Sequence, residues 1–269
     1  MRKNRVIPVV LLKNGVVVQS KGFKRYQILG NPFAIVDRLS DWAADELIYL
    51  DISREATYDL GRDDLKCANE TNIIDILREV AKSSFMPLTF GGRIRNIDDV
   101  YKRVTNGADK VTLNSEAFRN PMFISECARI FGSQCIVVSI DAGKNENGNW
   151  QVFIDGGKTP TGITPAEWSN KAQECGAGEI LINSINNDGM GCGYDIQLIA
   201  SVVSAVNIPV IACGGVGKWE HLAQGITDAG ADAVAAANIF HYSENSVYDA
   251  KKYLYEKQIN VRKPTFGWE

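Results

Sequence analysis

The strongest constraint on the fold of this chain is an alternation of short apolar, β-branched runs with longer segments of helical periodicity. Such alternation is typical of βα units, in which a helix connects two parallel strands. Each run is followed by a helical candidate, and the runs lie at 6–12, 46–52, 86–90, 110–113, 135–141, 179–183, 209–213 and 231–236. Because eight strands with eight crossovers can close on themselves, we predict an α/β fold, the (β/α)8 TIM barrel.

The two halves of the chain share a spacing pattern. Gly92 precedes the GAD triplet at 107–109 by the same distance as Gly215 precedes the triplet at 230–232. This echo favours two duplicated half-barrels. The alternative is that glycine pairs after a strand and GAD triplets before one are common punctuation in barrels.

The length of the chain bears on its domain organisation. A chain of 269 residues, 45% of them hydrophobic, is long enough to bury one large core. No Pro- or Ser-rich linker divides it, so we predict a single domain over 1–269. The polar stretch 53–72 is predicted to form an extended loop after the second strand.

Charge and cysteine usage argue against several classes of protein. The 29 basic and 32 acidic residues give a net charge of −3 without long runs of either sign, so neither nucleic acid nor a membrane is an expected partner. The first apolar run stops at Lys13 with no cleavage site after it, and no stretch approaches a membrane span. Six scattered cysteines, no CxxC pair and two histidines disfavour a metal site and indicate reduced thiols, so we expect a cytoplasmic protein.

Glycines and short polar residues follow several predicted strands, at the end of the barrel where active sites lie. Glycines there let backbone N–H groups approach an anion, so the run from Gly214 and Gly215 to Lys218 is interpreted as a phosphate cradle. A second cradle is predicted from Gly92 and its neighbours, and two cradles in opposite halves favour a ligand with two phosphates. The alternative for each is a tight turn. The predicted substrate contacts are Gly92, Asn114, Ser115, Asp188, Gly189, Gly214, Gly215 and Asn238.

Asp141 ends the apolar strand predicted at 135–141, where a carboxylate has no use in packing. We therefore predict that Asp141 faces the barrel mouth as a general acid/base. A structural role, as a cap of the next loop or as the partner of a lysine, is the alternative. Asp51 has the same placement, but Arg54 follows closely and could pair with it.

Charged residues mark the opposite end of the barrel. Arg5, Glu46, Lys110 and Glu179 fall at or just before the starts of strands one, two, four and six. Barrel floors are ordinarily closed by apolar side chains, so a charged ring suggests a gate or a docking face. Spacing alone favours the alternative, a surface cluster of ion pairs that contributes little.

Longer strings then identify a family. The chain reads ADEL at 44–47, GADKV at 107–111, FGSQ at 131–134, GAGEIL at 176–181 and DG at 188–189. From residue 5 to residue 262 these strings closely resemble the cyclase subunit of imidazole glycerol phosphate synthase.

The resemblance implies an activity and a partner. Members form a heterodimer with a glutamine amidotransferase, receive ammonia through the barrel, and cleave and cyclise a phosphorylated ribulosyl-formimino aminoimidazole carboxamide ribotide, with no cofactor. It implies that Arg5, Glu46, Lys110 and Glu179 form the ammonia gate. It also places Asp109 at the interface with the glutaminase.

The catalytic end departs from this family. The resemblance calls for a carboxylate at the end of strand one as the partner of Asp141, and Leu11 stands there. Further departures are Gln19, Arg93, Asn183 and Asn186. The pattern is similar to a divergent branch that amidates surface-polysaccharide or glycan sugars. Three functions stay open: a histidine-pathway cyclase with a substitute acid, an ammonia-conducting barrel for sugar amidation, and a non-catalytic activator of a glutaminase.

Overall fold

A computed structural model describes residues 3–54, 58 and 72–265, so most of the predicted loop 53–72 lies outside the described residues. Eight parallel strands form a closed barrel, because each pairs with the next and the last pairs with the first. They are β1 (Arg5–Lys13), β4 (Leu47–Asp51), β5 (Leu88–Gly91), β6 (Lys110–Leu113), β7 (Ile136–Lys144), β10 (Glu179–Ser184), β11 (Val210–Cys213) and β12 (Ala233–Ala236). The predicted TIM barrel is confirmed, with strand boundaries that differ by up to three residues.

Helices follow every barrel strand and cover its outside. They are α1 (Pro32–Asp41), α2 (Ile73–Ser83), α3 (Ile97–Thr105), α4 (Ser115–Arg119), α5 (Met122–Phe131), α6 (Pro165–Glu174), α7 (Ile196–Val203), α8 (Trp219–Thr227) and α9 (Ser246–Glu256). Their starts follow from local chemistry: Asn72 accepts hydrogen bonds from the first turn of α2, and Thr164 with Glu167 forms a capping box on α6. Within the described residues, no helix combines the length and the apolar character needed to cross a membrane.

Two antiparallel hairpins, which the strand count did not include, stand at the mouth of the barrel. The first, β2 (Val16–Lys21) with β3 (Arg25–Gly30), continues β1, and the second, β8 (Trp150–Ile154) with β9 (Thr159–Pro160), continues β7. Asn14 and Gly15 join β1 to β2 with φ angles of 50° and 80°. Asn-Gly is the pair that a two-residue hairpin turn prefers, so the sequence did carry a signal for the turn from β1 into β2.

The inside of the barrel is apolar between its two polar ends. Side chains from six strands form a separate buried cluster there, with Leu11, Leu50 and Ala237 packed against it. The members of this cluster are Ile7, Val9, Ile48, Val137, Leu181, Ile211, Cys213, Ala233 and Ala235. Apolar side chains therefore line the interior between the floor and the mouth of the barrel.

Three aspartates connect neighbouring strands by hydrogen bonds at the floor, which is the end where the barrel strands begin. Asp45, Asp109 and Asp232 each accept a hydrogen bond from the backbone N–H near the start of the preceding barrel strand, at 2.8–3.0 Å. Asp109 and Asp232 are the last residues of the two GAD triplets, so the aspartate of each triplet serves to bond the preceding strand. Because Asp45 does the same without a GAD triplet, the pattern also suits simple barrel punctuation, and the duplication stays a prediction.

Candidate active site at the barrel mouth

A cavity of about 1040 Å³ opens at the carboxyl ends of the barrel strands, and we call it the mouth cavity. Its wall brings together five predicted site residues: Gly92, Asn114, Ser115, Asp141 and Asp188. Four other predicted contacts are not part of this wall: Gly189, Gly214, Gly215 and Asn238. Both hairpins contribute residues to the wall.

Asp141 lies on β7 inside the mouth cavity and is only 8% exposed. Its Oδ2 accepts a hydrogen bond from Asn114 Nδ2 at 3.0 Å, and the same amide group donates to the Ser139 carbonyl at 3.1 Å. Burial raises the pKa of Asp141 to about 7, with a smaller contribution from the charge of Asp188 and an opposing one from the Asn114 hydrogen bond. Both protonation states of Asp141 are therefore populated near neutral pH, which suits proton transfer.

Asp188 is buried and holds the first hairpin over the cavity. Its carboxylate accepts hydrogen bonds from Ser20 Oγ at 2.6 Å and from the Phe23 N–H at 3.2 Å, and its carbonyl accepts from Gly22 N–H. Asn238 Nδ2 donates to the Ser20 carbonyl at 2.8 Å. Burial raises the pKa of Asp188. In this conformation, these two predicted substrate contacts therefore act as anchors of the β2–β3 hairpin.

Close packing explains the glycines of the cradle predicted from Gly214 to Lys218. A Cβ atom on Gly214 would lie 2.6 Å from Asn183 Oδ1, and one on Gly215 would lie 2.1 Å from the Gly193 carbonyl. Gly193 N–H also donates to the Gly215 carbonyl at 2.8 Å, so the loops after β10 and β11 lie directly on each other. These contacts require glycine without any ligand, and a phosphate cradle at this place stays a prediction.

The position of the expected first acid is apolar. Leu11 pairs with Leu50 across β1 and β4, and both side chains line the mouth cavity. Asp51, one residue beyond Leu50, has a fully buried side chain whose oxygens accept hydrogen bonds from Ser53 N–H and Tyr58 OH. Its ion-pair partner is Arg93, with Nε 3.5 Å from Oδ2. The pairing of Asp51 with Arg54 that the sequence suggested is not formed.

The wall of the mouth cavity is more basic than the chain as a whole. Its basic residues are Lys13, Lys24, Arg54, Arg93, Arg95, Arg119 and Lys158. Its acidic residues are Asp51, Glu116, Asp141, Asp155 and Asp188. Seven basic against five acidic groups, in a chain of net charge −3, favour an anionic ligand.

At the floor, Arg5, Glu46, Lys110 and Glu179 form a closed ring of alternating charge, which we call the floor ring. Arg5 bonds Glu46 at 2.6 Å and also bonds Glu179, while Lys110 Nζ lies 3.1 Å from Glu46 and 2.9 Å from Glu179. Both carboxylates are buried. The cluster is therefore not the solvated surface group that spacing alone favoured.

Asp109 lies beside Lys110 on the exposed surface of the floor. Its carboxylate accepts a hydrogen bond from Leu88 N–H at 2.8 Å. Exposure leaves it accessible to a partner while this bond fixes its direction.

The matching family model is described as histidine biosynthesis protein, and it covers residues 5–246. This chain belongs to the histidine biosynthesis protein family. The matched segment starts at the first residue of β1 and extends past β12, so it includes the whole barrel, the floor ring and the mouth cavity. The family consists of barrel enzymes of the isomerase and cyclase type, which makes the mouth cavity the candidate active site of this member.

Some site residues of this histidine biosynthesis family barrel were missed in the sequence. Phe23, Tyr26 and Lys24 line the cavity from the first hairpin, and Lys158 lines it from the second. The Asn14-Gly15 turn could have revealed the reversal of the chain from β1 into β2, and nothing local indicated that the tip of the first hairpin reaches the cavity. Among the residues that the structure describes, no group of three His, Cys, Asp or Glu side chains could hold a metal ion.

Proposed function

We propose that this chain is an ammonia-using barrel enzyme that works with a glutamine amidotransferase and adds ammonia to an anionic sugar of surface-polysaccharide or glycan synthesis. The observation that carries the proposal is Leu11, which lines the mouth cavity where the resemblance calls for the first acid, while the floor ring is complete. A cleavage with cyclisation needs two groups that exchange protons, and of the two expected positions Asp141 alone carries one.

The interior of the barrel supports a route for ammonia from the floor to the cavity. The cluster that separates the floor ring from the mouth cavity is apolar. Neutral ammonia enters such a space at a far lower cost than an ammonium ion, because a charge loses its hydration there. Ala233 and Ala235 are the smallest members of the cluster, so we expect the passage along β12. Movement of Lys110 or Arg5 would open the ring.

Asp141 supplies the proton transfers that an amidation needs. The nitrogen of ammonia bonds to an electrophilic carbon of the substrate, and an oxygen leaves that carbon. The nitrogen must lose a proton and the departing oxygen must gain one. A carboxyl group with a pKa of about 7 can accept the first proton as a carboxylate and give it to the oxygen as an acid.

The acids that could replace the missing one are already engaged. Asp51 is tied to Arg93, Ser53 and Tyr58, and its side chain is fully buried. Asp188 holds the first hairpin through Ser20 and Phe23. In a histidine-pathway cyclase, Asp51 or Asp188 would have to break these bonds to act as the second acid. This requirement weighs against that function.

The first test is steady-state turnover of the ribulosyl-formimino ribotide with an ammonium salt. We expect the native chain to be slower than a cyclase with both acids by a factor on the order of 10²–10⁴, because one member of an acid/base pair is missing. Leu11→Asp should recover part of this rate and Leu11→Asn, the matched polar control, should not. Full turnover by the native chain that Asp141→Asn abolishes would identify a histidine-pathway cyclase instead.

The second candidate that stays open is a non-catalytic activator of a glutaminase. Such a protein needs the floor and has no use for a buried carboxylate in a cavity. The burial of Asp141 and its hydrogen bond to Asn114 therefore favour a catalytic barrel.

If a partner binds the floor, removal of the negative charge of Asp109 should weaken its binding. Asp109→Asn keeps an oxygen for the Leu88 N–H and removes the charge, so the fold should be unaffected. We expect it to weaken binding of the glutamine amidotransferase subunit by about tenfold, measured by calorimetric titration, as for loss of an interfacial charge pair. Asp232→Asn is the matched control, because Asp232 makes the same bond to Val210. Equal binding by Asp109→Asn and the native chain would remove Asp109 from the interface.

A further inference from the structure

Arg93 occupies a backbone position that favours glycine. It follows Gly91 and Gly92 at the end of β5, and its φ angle of +53° lies in the left-handed region that side chains disfavour. Its side chain lines the mouth cavity. An arginine here carries a conformational cost that a glycine would avoid, which points to a use for its guanidinium group.

The polar groups near Arg93 that were expected to hold a phosphate serve the fold instead. A Cβ atom on Gly92 would lie 2.1 Å from the Asp51 carbonyl, so this glycine is required by packing. Asn114 donates its amide protons to Asp141 and Ser139. Ser115 Oγ donates to Asn114 and accepts from Asp155 N–H. The side-chain donors of Asn114 and Ser115 are therefore already engaged, and a further side-chain donor for an anion must come from another residue.

The guanidinium group of Arg93 forms an ion pair with the buried carboxylate of Asp51. Nε lies 3.5 Å from Oδ2 of Asp51, a carboxylate that is itself held by Ser53 and Tyr58. Behind it, Arg103 donates to the Gly92 carbonyl at 2.6 Å and brings a second positive charge close to Asp51. The charge of Asp51 is thus shared between two arginines. The side chain of Arg93 is 19% exposed, and Arg93 is one of the residues that line the cavity.

We propose that Arg93 determines the specificity of the mouth cavity by binding an oxyanion of the substrate, either a carboxylate or a phosphate. The inference rests on the proposed function, and it names the group by which the substrate is recognised. A guanidinium group engages two oxygens of either anion at once, which a lysine cannot do. Four more basic residues around the mouth add long-range attraction: Lys24, Arg54, Arg95 and Lys158.

Calorimetric titration with three sugars tests this role. Glucuronate carries a carboxylate, glucose 6-phosphate carries a phosphate, and glucose is the neutral probe. We expect at least one of the two anions to bind the native chain at least tenfold more tightly than glucose, and the tighter one identifies the oxyanion. Arg93→Gly, which suits the backbone angle, should lose that tenfold preference. Arg93→Lys should retain part of it, and the exposed Arg129→Gln, outside the cavity, should change nothing.

Three results would overturn the role of Arg93. They are undiminished anion binding by Arg93→Gly, equal binding of glucose and both anions, and no binding of either anion at millimolar concentration. The titration needs neither ammonia nor Asp141 nor a partner. A failed titration would therefore overturn the role of Arg93 without bearing on the proposed function. Rapid turnover of the ribotide would overturn the proposed function without bearing on the role of Arg93.

Discussion

Replacing Lys251 by methionine should lower the free energy of unfolding by about 3–5 kcal/mol, the range measured when a buried ion pair loses one partner. Lys251 on α9 is 1% exposed, and its Nζ donates to Asp45 Oδ1 and to the Ala43 carbonyl, both at 2.8 Å. Asp45 Oδ2 accepts from Val6 N–H at 2.9 Å, so the pair connects the last helix to β1. Methionine would fill the space and leave the Asp45 carboxylate, whose side chain is only 9% exposed, without its cation.

Urea denaturation measures this loss, and the chain supplies its own control. Lys252, the next residue, is exposed, and Lys252→Met should change the free energy of unfolding by less than about 0.5 kcal/mol. Adding Asp45→Asn to Lys251→Met should recover part of the loss, because the unpaired charge is then removed. A loss below about 1 kcal/mol in Lys251→Met would show that Asp45 finds compensation elsewhere.

Asp141→Asn should stabilise the fold at high pH while removing the proposed acid/base. The pKa of Asp141 is about 7 in the folded chain against an ordinary value of 3.8, because burial disfavours the charged form. A group with a raised folded pKa contributes stability that is fully present below its unfolded pKa and is lost as the pH rises through its folded pKa. At about 1.4 kcal/mol per pKa unit, the free energy of unfolding that is lost as the pH rises to 7 amounts to about 4 kcal/mol at most, and it stays lost above pH 7.

Asparagine cannot ionise, so the variant should lack this pH dependence. Its oxygen can still accept the hydrogen bond from Asn114 Nδ2. Urea denaturation at pH 4 and pH 8 should show a small difference between the native chain and the variant at the lower pH, and a gain for the variant at the higher pH. The exposed Asp41→Asn is the control. No gain at pH 8 would mean that Asp141 is ionised at little cost in the fold.

The barrel could be predicted because its strands are defined by local patterns. Each apolar run carries its own period, and closure follows from their number. The floor ring could also be predicted, because residues at the starts of barrel strands meet at one end. The hairpins were missed because only eight apolar runs were counted as strands, each with a helical candidate after it, although Asn14-Gly15 carried a turn signal.

The candidate site could be predicted only in part, since its contacts cross between strand ends. The placement of Asp141 follows from one strand, but its hydrogen bond to Asn114 joins β7 to the end of β6. Asp51 was expected near Arg54, its neighbour in sequence, and lies against Arg93 from the next strand instead. Asp188 and Asn238 engage the first hairpin, whose position no local pattern reveals.

The charges of the floor ring balance one another. Two positive and two negative groups, each bonded to both neighbours of opposite sign, cancel, so the ring has no net charge and its field falls off steeply outside the floor. It neither concentrates ammonium from solution nor repels it. For the proposed ammonia passage, entry through the ring would therefore depend on the cost of dehydration, which is lower for neutral ammonia than for ammonium.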